Sequence, residues 1–600
     1  MPRRSENPLL RLVRWPAPVL LVLLILGEAG LSWMHESSRL WYPSETHHDG
    51  FMKPILLERA MQGWSPVEKE CVPGNCYAGY ADPPQGAPRS LGERTRWIWD
   101  SGPTYINDYP LFVLPSAIAM AALPGTVYAP WLGLRVWMAL LLLSAYLLGK
   151  MLRGPLTGLL SAVLCAGTPG LFGLGLVYQD SVPLAAVGTA LAAALLATRG
   201  FERRWACGAV AVLTFAAFRV AENVGEAALV AGVCIAPFCA AVLQGLTAPG
   251  DRSRRWDRFG LTLVPAAVIA IRTVMLNADA LRYVREGVET AGPYGWAKDF
   301  AWIPIPELGY IEELGRDLLR PPMAIVLSFG ALLLLRRPSR DRLAVLGMHV
   351  VPLALLSFVN RKGLMYIVPA LPALAVAASL GIATLSPRWR ARVALLGVAA
   401  AVWTRGTAVF LPDGLRGEVA YRLARLDDRH PDLEKAVDTL RPINILDGMR
   451  TIPAVYARRA EAQAAVGIAE VARLHQREGE ALRIALVSTS VHLAQATCWY
   501  IQVEAPNTTC FAPLWGGTVR ASPMEVDPRR YDLLAWVEDN EGPLPMPLDA
   551  SSPLPDRLVE VISRDQPDWQ DPTRLFLERL HAVAWQAVPV PTGTVYVRKE

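Results

Sequence analysis

Residues 131–154 read WLGLRVWMALLLLSAYLLGKMLRG. Between Trp131 and Gly149 a single charge, Arg135, interrupts an apolar run that then closes on Lys150 and Arg153. About 20 apolar residues in a helix cover the ~30 Å hydrocarbon core of a bilayer, and cations collect at the cytoplasmic end of such a helix. This stretch therefore reads as a helix crossing a membrane from outside to inside. The same length test selects runs near 16–34, 155–174, 181–198, 205–221, 224–245, 259–276, 322–336, 343–359, 365–386 and 393–411. With 131–149 they make about eleven crossings, a polytopic α-helical membrane protein.

The connections test that count. Lys150 and Arg153, then Arg199, Arg203 and Arg204, then Arg252, Arg254, Arg255 and Arg258, then Arg336, Arg337, Arg340 and Arg342, and finally Arg388, Arg390 and Arg392 load every second turn with positive charge. Alternation of this kind is the cytoplasmic signal, and a wrong count would scramble it. Arg3, Arg4, Arg11 and Arg14 precede the first run, no small-residue cleavage site closes it, and the N-terminus reads as cytoplasmic. The apolar stretch 110–124 would spoil the alternation if it crossed, so it is expected to lie on the outer face as an interfacial helix. An odd number of crossings leaves residues 412–600 outside, as an extracytoplasmic α/β domain. Helical patterns over 454–477 and 572–584 alternate there with the strand-like runs RIALVSTS, YDLLAWVED and TVYVRK. Two outer loops, about 35–109 and 277–321, complete a membrane body spanning 1–411.

The composition agrees. Of 600 residues 52% are hydrophobic and 19% charged, too apolar for a wholly soluble chain and too charged for a wholly embedded one. The net charge of +5 divides unevenly: 21 Lys plus Arg against 27 Asp plus Glu from Pro412 onward, −6, leave +11 for the first 411 residues. That excess sits in the cytoplasmic turns, so it reports orientation and calls for no nucleic-acid partner. Arginine far outnumbers lysine, which suggests a bacterium of high GC content and hence the inner membrane.

Cys165, Cys207, Cys234 and Cys239 fall inside apolar runs, where a thiol behaves as a small apolar group. The other four lie in the outer segments, Cys71 with Cys76 in ECVPGNC and Cys498 with Cys510 in the tail. Two disulfides fit an oxidising compartment; a zinc site at C-x4-C, with His47 and His48 some way off, is the other reading.

A set of ionisable residues falls at the outer ends of the helices, where charge is costly without a partner or a task. It comprises Asp49 in SETHHDGFMKP, Asp108 in NDYPLF, Asp180 in LVYQDSVPL, Arg219 with Glu222 in FRVAEN, and Arg361 with Lys362 in FVNRKGLMYIVPALPAL. Each has a plainer reading. Asp180 is a good helix N-cap, Arg219 and Glu222 can neutralise each other one turn apart, Arg361 and Lys362 can snorkel to headgroups, Asp49 can serve a turn before glycine, and Asp108 can be a solvated surface group. What the single readings leave out is that all lie on one face of the membrane, with both signs of charge. No G-x-x-x-x-G-K-[ST], H-E-x-x-H, G-x-S-x-G or G-x-G-x-x-G motif competes with them.

These segments in this order resemble the polyprenyl-phosphate-dependent glycosyltransferases of the GT-C superfold, in particular the group of protein O-mannosyltransferases and the lipid A aminoarabinose transferase. HHDG stands where that group has an acidic motif after its first helix, with Gly50 where many members carry a second acid and Glu45 nearby. Asp108, Tyr109, Pro110 and Leu111 are similar to the segment leading into its interfacial helix, and Arg135 matches an arginine of its second span. YQDSVPLAA is similar to an acidic segment opening a later span, and NRKGLMYIVPALPALAVAASLG to a basic-then-tyrosine motif that places Arg361, Lys362 and Tyr366.

The resemblance implies a lipid-linked sugar donor at the outer face, a lipid, glycan or protein acceptor, Asp49 as general base, and Arg361 and Lys362, with Arg219, on the leaving phosphate. Asp108 and Asp180 would then orient acceptor, sugar hydroxyls or a cation. The three carboxylates permit a divalent cation without requiring one. Trp97, Trp99, Tyr105 and Tyr178 can stack on sugar faces or simply mark the membrane interface. A transporter or flippase is the rival class, but transporters keep their polar sites near the bilayer midplane between paired repeats, and this sequence has rim charges and no repeat.

Overall fold

In the computed structural model, helices occupy all eleven apolar runs. The structure describes residues 16–38, 65–66, 71–72, 75–76, 81–82, 111–123, 125–126, 129–176, 180–220, 224–247, 252–276, 314–357, 364–409, 465–476, 482–488, 500–506, 508–514, 531–537, 583–590 and 593–599. The helices are α1 (Pro16–Ser38), α2 (Leu114–Ala122), α3 (Ala129–Arg153), α4 (Pro155–Ala166), α5 (Pro169–Leu176), α6 (Ser181–Ala197), α7 (Arg204–Val220), α8 (Val224–Thr247), α9 (Arg252–Leu276), α10 (Arg320–Leu334), α11 (Arg340–Ser357), α12 (Leu371–Ile382) and α13 (Pro387–Val409). Among the described residues, Ala129–Arg153 and Leu229–Thr247 are long and apolar enough to cross a membrane; the other apolar helices are shorter.

Two helices form the interior. Every residue of α12 is buried, and all of α6 except Ala190 and Ala193. Both are apolar around their whole circumference, as a helix with neighbours on every side must be. α12 packs against α3, α4, α10, α11 and α13, and α6 against α3, α7 and α8. Small residues set the spacing. A Cβ on Gly381 of α12 would collide with the Gly330 carbonyl oxygen of α10, and one on Gly330 would lie 2.7 Å from the Ala378 Cβ. Close backbone approach through Gly and Ala is how helices gain contact where no hydrophobic force separates protein from lipid.

Two runs depart from the expected single helix. The run 155–174 breaks between α4 and α5 at Gly167 and Thr168, because Pro169 has no N–H to give and its ring crowds the preceding turn. The orphaned turn is patched by Thr168, whose hydroxyl donates to the Leu164 carbonyl at 2.8 Å. The run 365–386 begins as a 3-10 helix, Leu364–Ala370, containing Pro369, before α12 takes over. The stretch expected to lie at the interface packs one face on the bundle. A 3-10 turn, Leu111–Val113, and α2 bury Phe112, Val113, Ser116, Ala117 and Met120 against α3 and leave Leu114, Ile118 and Leu123 exposed. Trp137 Nε1 donates to the Phe112 carbonyl at 3.0 Å, and Ser116 Oγ to the Pro130 carbonyl at 2.7 Å.

The basic turns all meet at one end of the bundle. Arg153 Nη2, at the end of α3, lies 3.5 Å from the Ala383 carbonyl at the end of α12. Arg340 Nη1 reaches Thr247 Oγ1 at 3.4 Å, joining the start of α11 to the end of α8. Arg255, at the start of α9, donates to Glu202 Oε1 at 2.8 Å and to the Gly245 carbonyl at 3.3 Å, and Arg258 donates to the Glu202 carbonyl. Five connections that the sequence assigns to one face are thus in mutual contact or one residue from it.

Toward the C-terminus a five-stranded sheet forms. Strands β1 (Ser65–Pro66), β2 (Cys71–Val72), β3 (Asn75–Cys76) and β4 (Ala81–Asp82) precede it as two short antiparallel pairs. The sheet has β5 (Leu482–Ser488), β6 (Thr508–Leu514), β7 (Leu533–Val537), β8 (Trp585–Val590) and β9 (Gly593–Arg598) in the order β6-β5-β7-β9-β8. β5 is parallel to both β6 and β7, while β7, β9 and β8 pair antiparallel. Helical segments at 465–475 and 500–504 bury Ile468, Ala472 and Ile501, and β5 and β7 bury Ile484, Leu533 and Ala535. Asp532 clips three strands: its carboxylate accepts from the Arg483 N–H at 3.0 Å and pairs with Arg598 at 2.9 Å. The strand-like runs at 483–490, 531–539 and 594–599 hold β5, β7 and β9. Both β6 and β8 lie outside every strand read from the sequence.

Candidate functional site

The end opposite the basic turns carries the described members of the predicted set. α6 and α7 are joined by a short turn at the basic end, so the residue before α6 and the last turn of α7 come together at the other. Asp180 is the first and Arg219 the second. Asp180 occupies the N-cap position, and its carbonyl accepts the Leu184 N–H at 2.8 Å. Its carboxylate makes no capping bond, its Oδ2 is shielded from solvent, and the residue is half-buried. Capping therefore does not account for this side chain. Arg219 is half-buried and lies at a helix C-terminus, where the backbone dipole favours a cation.

Tyr366 lies on the 3-10 helix Leu364–Ala370, which packs against α6, α8 and α11. It is half-buried against the core. The 3-10 turn Leu111–Val113, which follows Asp108 by two residues, packs against α7. α6, α7 and the two 3-10 segments packed on them thus each carry, or begin within three residues of, a predicted site residue. Arg135 stands in the second turn of α3, half-buried, with its Nη2 shielded from solvent. Asp49, Asp108, Glu222, Arg361 and Lys362 lie outside the described residues, as do Trp97, Trp99, Tyr105 and Tyr178.

Of the cysteines, Cys71 on β2 stands directly opposite Cys76 on β3 in an antiparallel pair. Opposite residues of such a pair have Cα atoms about 4.5–5.5 Å apart, within the range a disulfide spans. Cys510 is buried on β6, and its carbonyl accepts from Gln502 Nε2 at 3.4 Å; Cys498 lies outside the described residues. Among the described residues no three His, Cys, Asp or Glu gather into a set able to hold a metal ion.

Two buried ionisable residues escaped the sequence reading. Glu28 is 7% exposed within α1, on the face with Leu21, Leu24 and Ile25 that meets α3 and α4. A carboxylate inside an apolar run is a visible signal, and [L-G-E-A-G] at 26–30 displayed it. His349, within α11, is 5% exposed, and its Nδ1 donates to the Ala370 carbonyl at 3.0 Å. That bond ties α11 to the junction where the helix carrying Tyr366 passes into α12. A lone histidine in an apolar run gives no hint of a carbonyl 21 residues later.

The arrangement was compared with known proteins. No family model and no curated protein matches the sequence. The structure of ArnT from Cupriavidus metallidurans bound to undecaprenyl phosphate aligns with 96% of this chain and 97% of its own, at 13% identity and a TM-score of 0.52. The chain has a GT-C-like fold. The same ArnT in the apo state aligns over 97% of this chain and 98% of its own, at 13% identity and a TM-score of 0.50. Archaeoglobus fulgidus AglB, an archaeal oligosaccharyltransferase in complex with an inhibitory peptide and a dolichol-phosphate, aligns with 87% of this chain and 70% of its own, at 12% identity. Its TM-score of 0.38 is too low to carry weight. The alignment with ArnT thus runs over nearly the whole of both chains.

Proposed function

We propose that this chain is an integral-membrane glycosyltransferase that moves a sugar from a polyprenyl-phosphate donor to an acceptor hydroxyl of a lipid, glycan or protein. The observation that carries the reading is the end-to-end likeness to a transferase captured with undecaprenyl phosphate. It is supported by the convergence of Asp180, Arg219 and Tyr366 at one end of the bundle.

In this reaction the acceptor oxygen attacks the anomeric carbon, the carbon–oxygen bond to phosphate breaks, and the electron pair leaves on the lipid phosphate. Asp49 takes the acceptor proton, a contribution of about 10²–10⁴-fold. Arg361 and Lys362, with Arg219, stabilise the departing phosphate, since charge-assisted bonds strengthen as its negative charge develops. Asp108 and Asp180 orient acceptor and sugar hydroxyls and would be the carboxylates to hold a divalent cation if one takes part; Glu222 and Tyr366 contribute to substrate binding beside Arg219. The protein resides in a bacterial inner membrane with about eleven crossings and a cytoplasmic N-terminus. Residues 412–600 form an extracytoplasmic domain, with Cys71–Cys76 and Cys498–Cys510 as disulfides.

The test is transfer of labelled sugar from a synthetic polyprenyl-phosphate donor by purified protein. Asp49→Asn is expected to lower the rate by about 10²-fold or more without loss of donor binding. Undiminished transfer by the variant removes Asp49 from its role, and no transfer by wild-type protein with any donor moves the reading to a transporter.

A further inference from the structure

At the basic end, two groups of arginines differ in their neutralisation. Arg255 is buried and paired with Glu202. Arg342, in the first turn of α11, is hydrogen-bonded to Arg337 of the α10–α11 turn, and Arg153, at the end of α3, is near enough for its charge to act on Arg342; none of the ion pairs among the described residues includes them. Asp341, the acid adjacent to Arg342 in the chain, pairs with none of the three. Their hydrogen bonds go to backbone oxygens: Arg342 Nη1 to the Arg337 carbonyl at 2.8 Å, and Arg153 Nη2 to the Ala383 carbonyl at 3.5 Å. Those bonds fix the guanidinium groups without cancelling their charge. Burial, and then the positive charges of Arg153 and Arg337, hold the Arg342 guanidinium below its ordinary range.

The alternation rule explains why arginines are at this end. It does not require three of them to be held together against their own repulsion with no acid paired to them among the described residues. An anion with several acceptor oxygens resolves that, and arginine's planar fork matches phosphate in particular. The surroundings decide what the phosphate belongs to. Met151, Leu335 and Leu343, each within two residues of one of the cations, are exposed by 39%, 49% and 45%. A free phosphate ion has no use for such neighbours, whereas acyl chains lie against them.

We infer that Arg153, Arg337 and Arg342 form a binding site for the phosphate of an anionic phospholipid headgroup, with its acyl chains on the adjoining leucines. The site lies at the opposite end of the bundle from the proposed chemistry and is independent of it.

Native mass spectrometry of the full-length protein, released from micelles supplied with phosphatidylglycerol or with phosphatidylcholine of the same chains, tests it. Wild-type protein is expected to retain phosphatidylglycerol preferentially. The double variant Arg337→Gln, Arg342→Gln should lose about tenfold of that retention, while Arg388→Gln, Arg390→Gln, which removes the same charge from the same end, should lose about twofold or less. Elution volume and melting temperature establish that both variants are folded. Equal retention of the two lipids by wild type, or equal losses in the two double variants, would reduce the cluster to diffuse attraction and overturn the site. Inorganic phosphate in excess should leave the retained phosphatidylglycerol in place; displacement by phosphate alone would make this a free-anion site and overturn the lipid assignment.

Discussion

At one end of the bundle Arg255 lies buried 2.8 Å from Glu202 while Arg342 crowds against two other arginines; at the other, Arg219 closes α7 where Asp180 opens α6. The first end holds many charges of nearly one sign, on turns and exposed rims. The second holds few described charges, of both signs, half-buried on helix termini. Excess of one sign orients a chain in a membrane and draws anions by its field, and neither needs a fixed geometry. Opposite signs in a partly dry setting need placement, since partial burial without a counter-charge is costly. The difference fits the proposed chemistry at the second end and the inferred lipid contact at the first.

The largest effect should come from loss of charge at the mixed-sign end. Arg219→Gln and Asp180→Asn are each expected to lower sugar transfer by about 10²-fold, the scale of removing one donor to a developing charge. The double variant Arg337→Gln, Arg342→Gln at the basic end should leave turnover within about twofold, as for charges more than a Debye length from the reaction. Initial rates at saturating donor for all three proteins make the comparison, and an equal loss at both ends would break it.

Next in size is the body that holds the two ends apart. Gly381→Val sets a side chain where the Gly330 carbonyl already lies, forcing α10 away from α12. Overpacking of this kind costs about 1–3 kcal/mol, and a backbone obstacle places it at the upper limit. A marked fall in the melting temperature of the purified protein is expected; an unchanged one would mean that α10 and α12 are not pressed together as described.

How far these features were legible in the sequence differs by region for physical reasons. The bundle was nearly complete on paper, because about 20 apolar residues between basic turns admit few other readings. Its errors were local, at Pro169 and Pro369, where a hydropathy window does not register that an amide N–H is missing. In the sheet, the three strands read from the sequence, β5, β7 and β9, are the three interior ones. Those missed, β6 and β8, are its two edges, and each contains a proline, Pro513 and Pro589. Proline argues against an interior strand and is tolerated at an edge, so the residue that hid these strands also explains their place. At the candidate site, Asp180, Arg219 and Tyr366 were visible as polar residues beside apolar runs. His349 was not, since its partner is a backbone carbonyl that only the fold brings near.

A smaller effect is expected from the tie between the mixed-sign end and the bundle. Trp137→Phe keeps an aromatic ring, though a smaller one, and removes the N–H that reaches the Phe112 carbonyl in the turn after Asp108. Loss of that buried hydrogen bond costs about 0.5–1.5 kcal/mol of local order. The expected outcome is a several-fold rise in the acceptor KM with kcat lowered less than by Arg219→Gln. A change confined to melting temperature would make the tie structural alone.

The smallest prediction bears on the basic end by itself. Glu202→Gln preserves the shape of the contact with Arg255 and removes the negative charge of Glu202, so that the guanidinium loses this ion pair. Glu202 is largely solvent-exposed while Arg255 is buried, so water screens only one partner and the field of Arg255 at the surface must increase. If uncompensated arginine is what recruits phosphate, retained phosphatidylglycerol should rise by about twofold or less, limited because Arg255 still donates to the Gly245 carbonyl and keeps its position. No rise, with Arg337→Gln, Arg342→Gln still losing lipid, would show that convergence of several guanidinium groups is required and that an unpaired charge alone does not suffice.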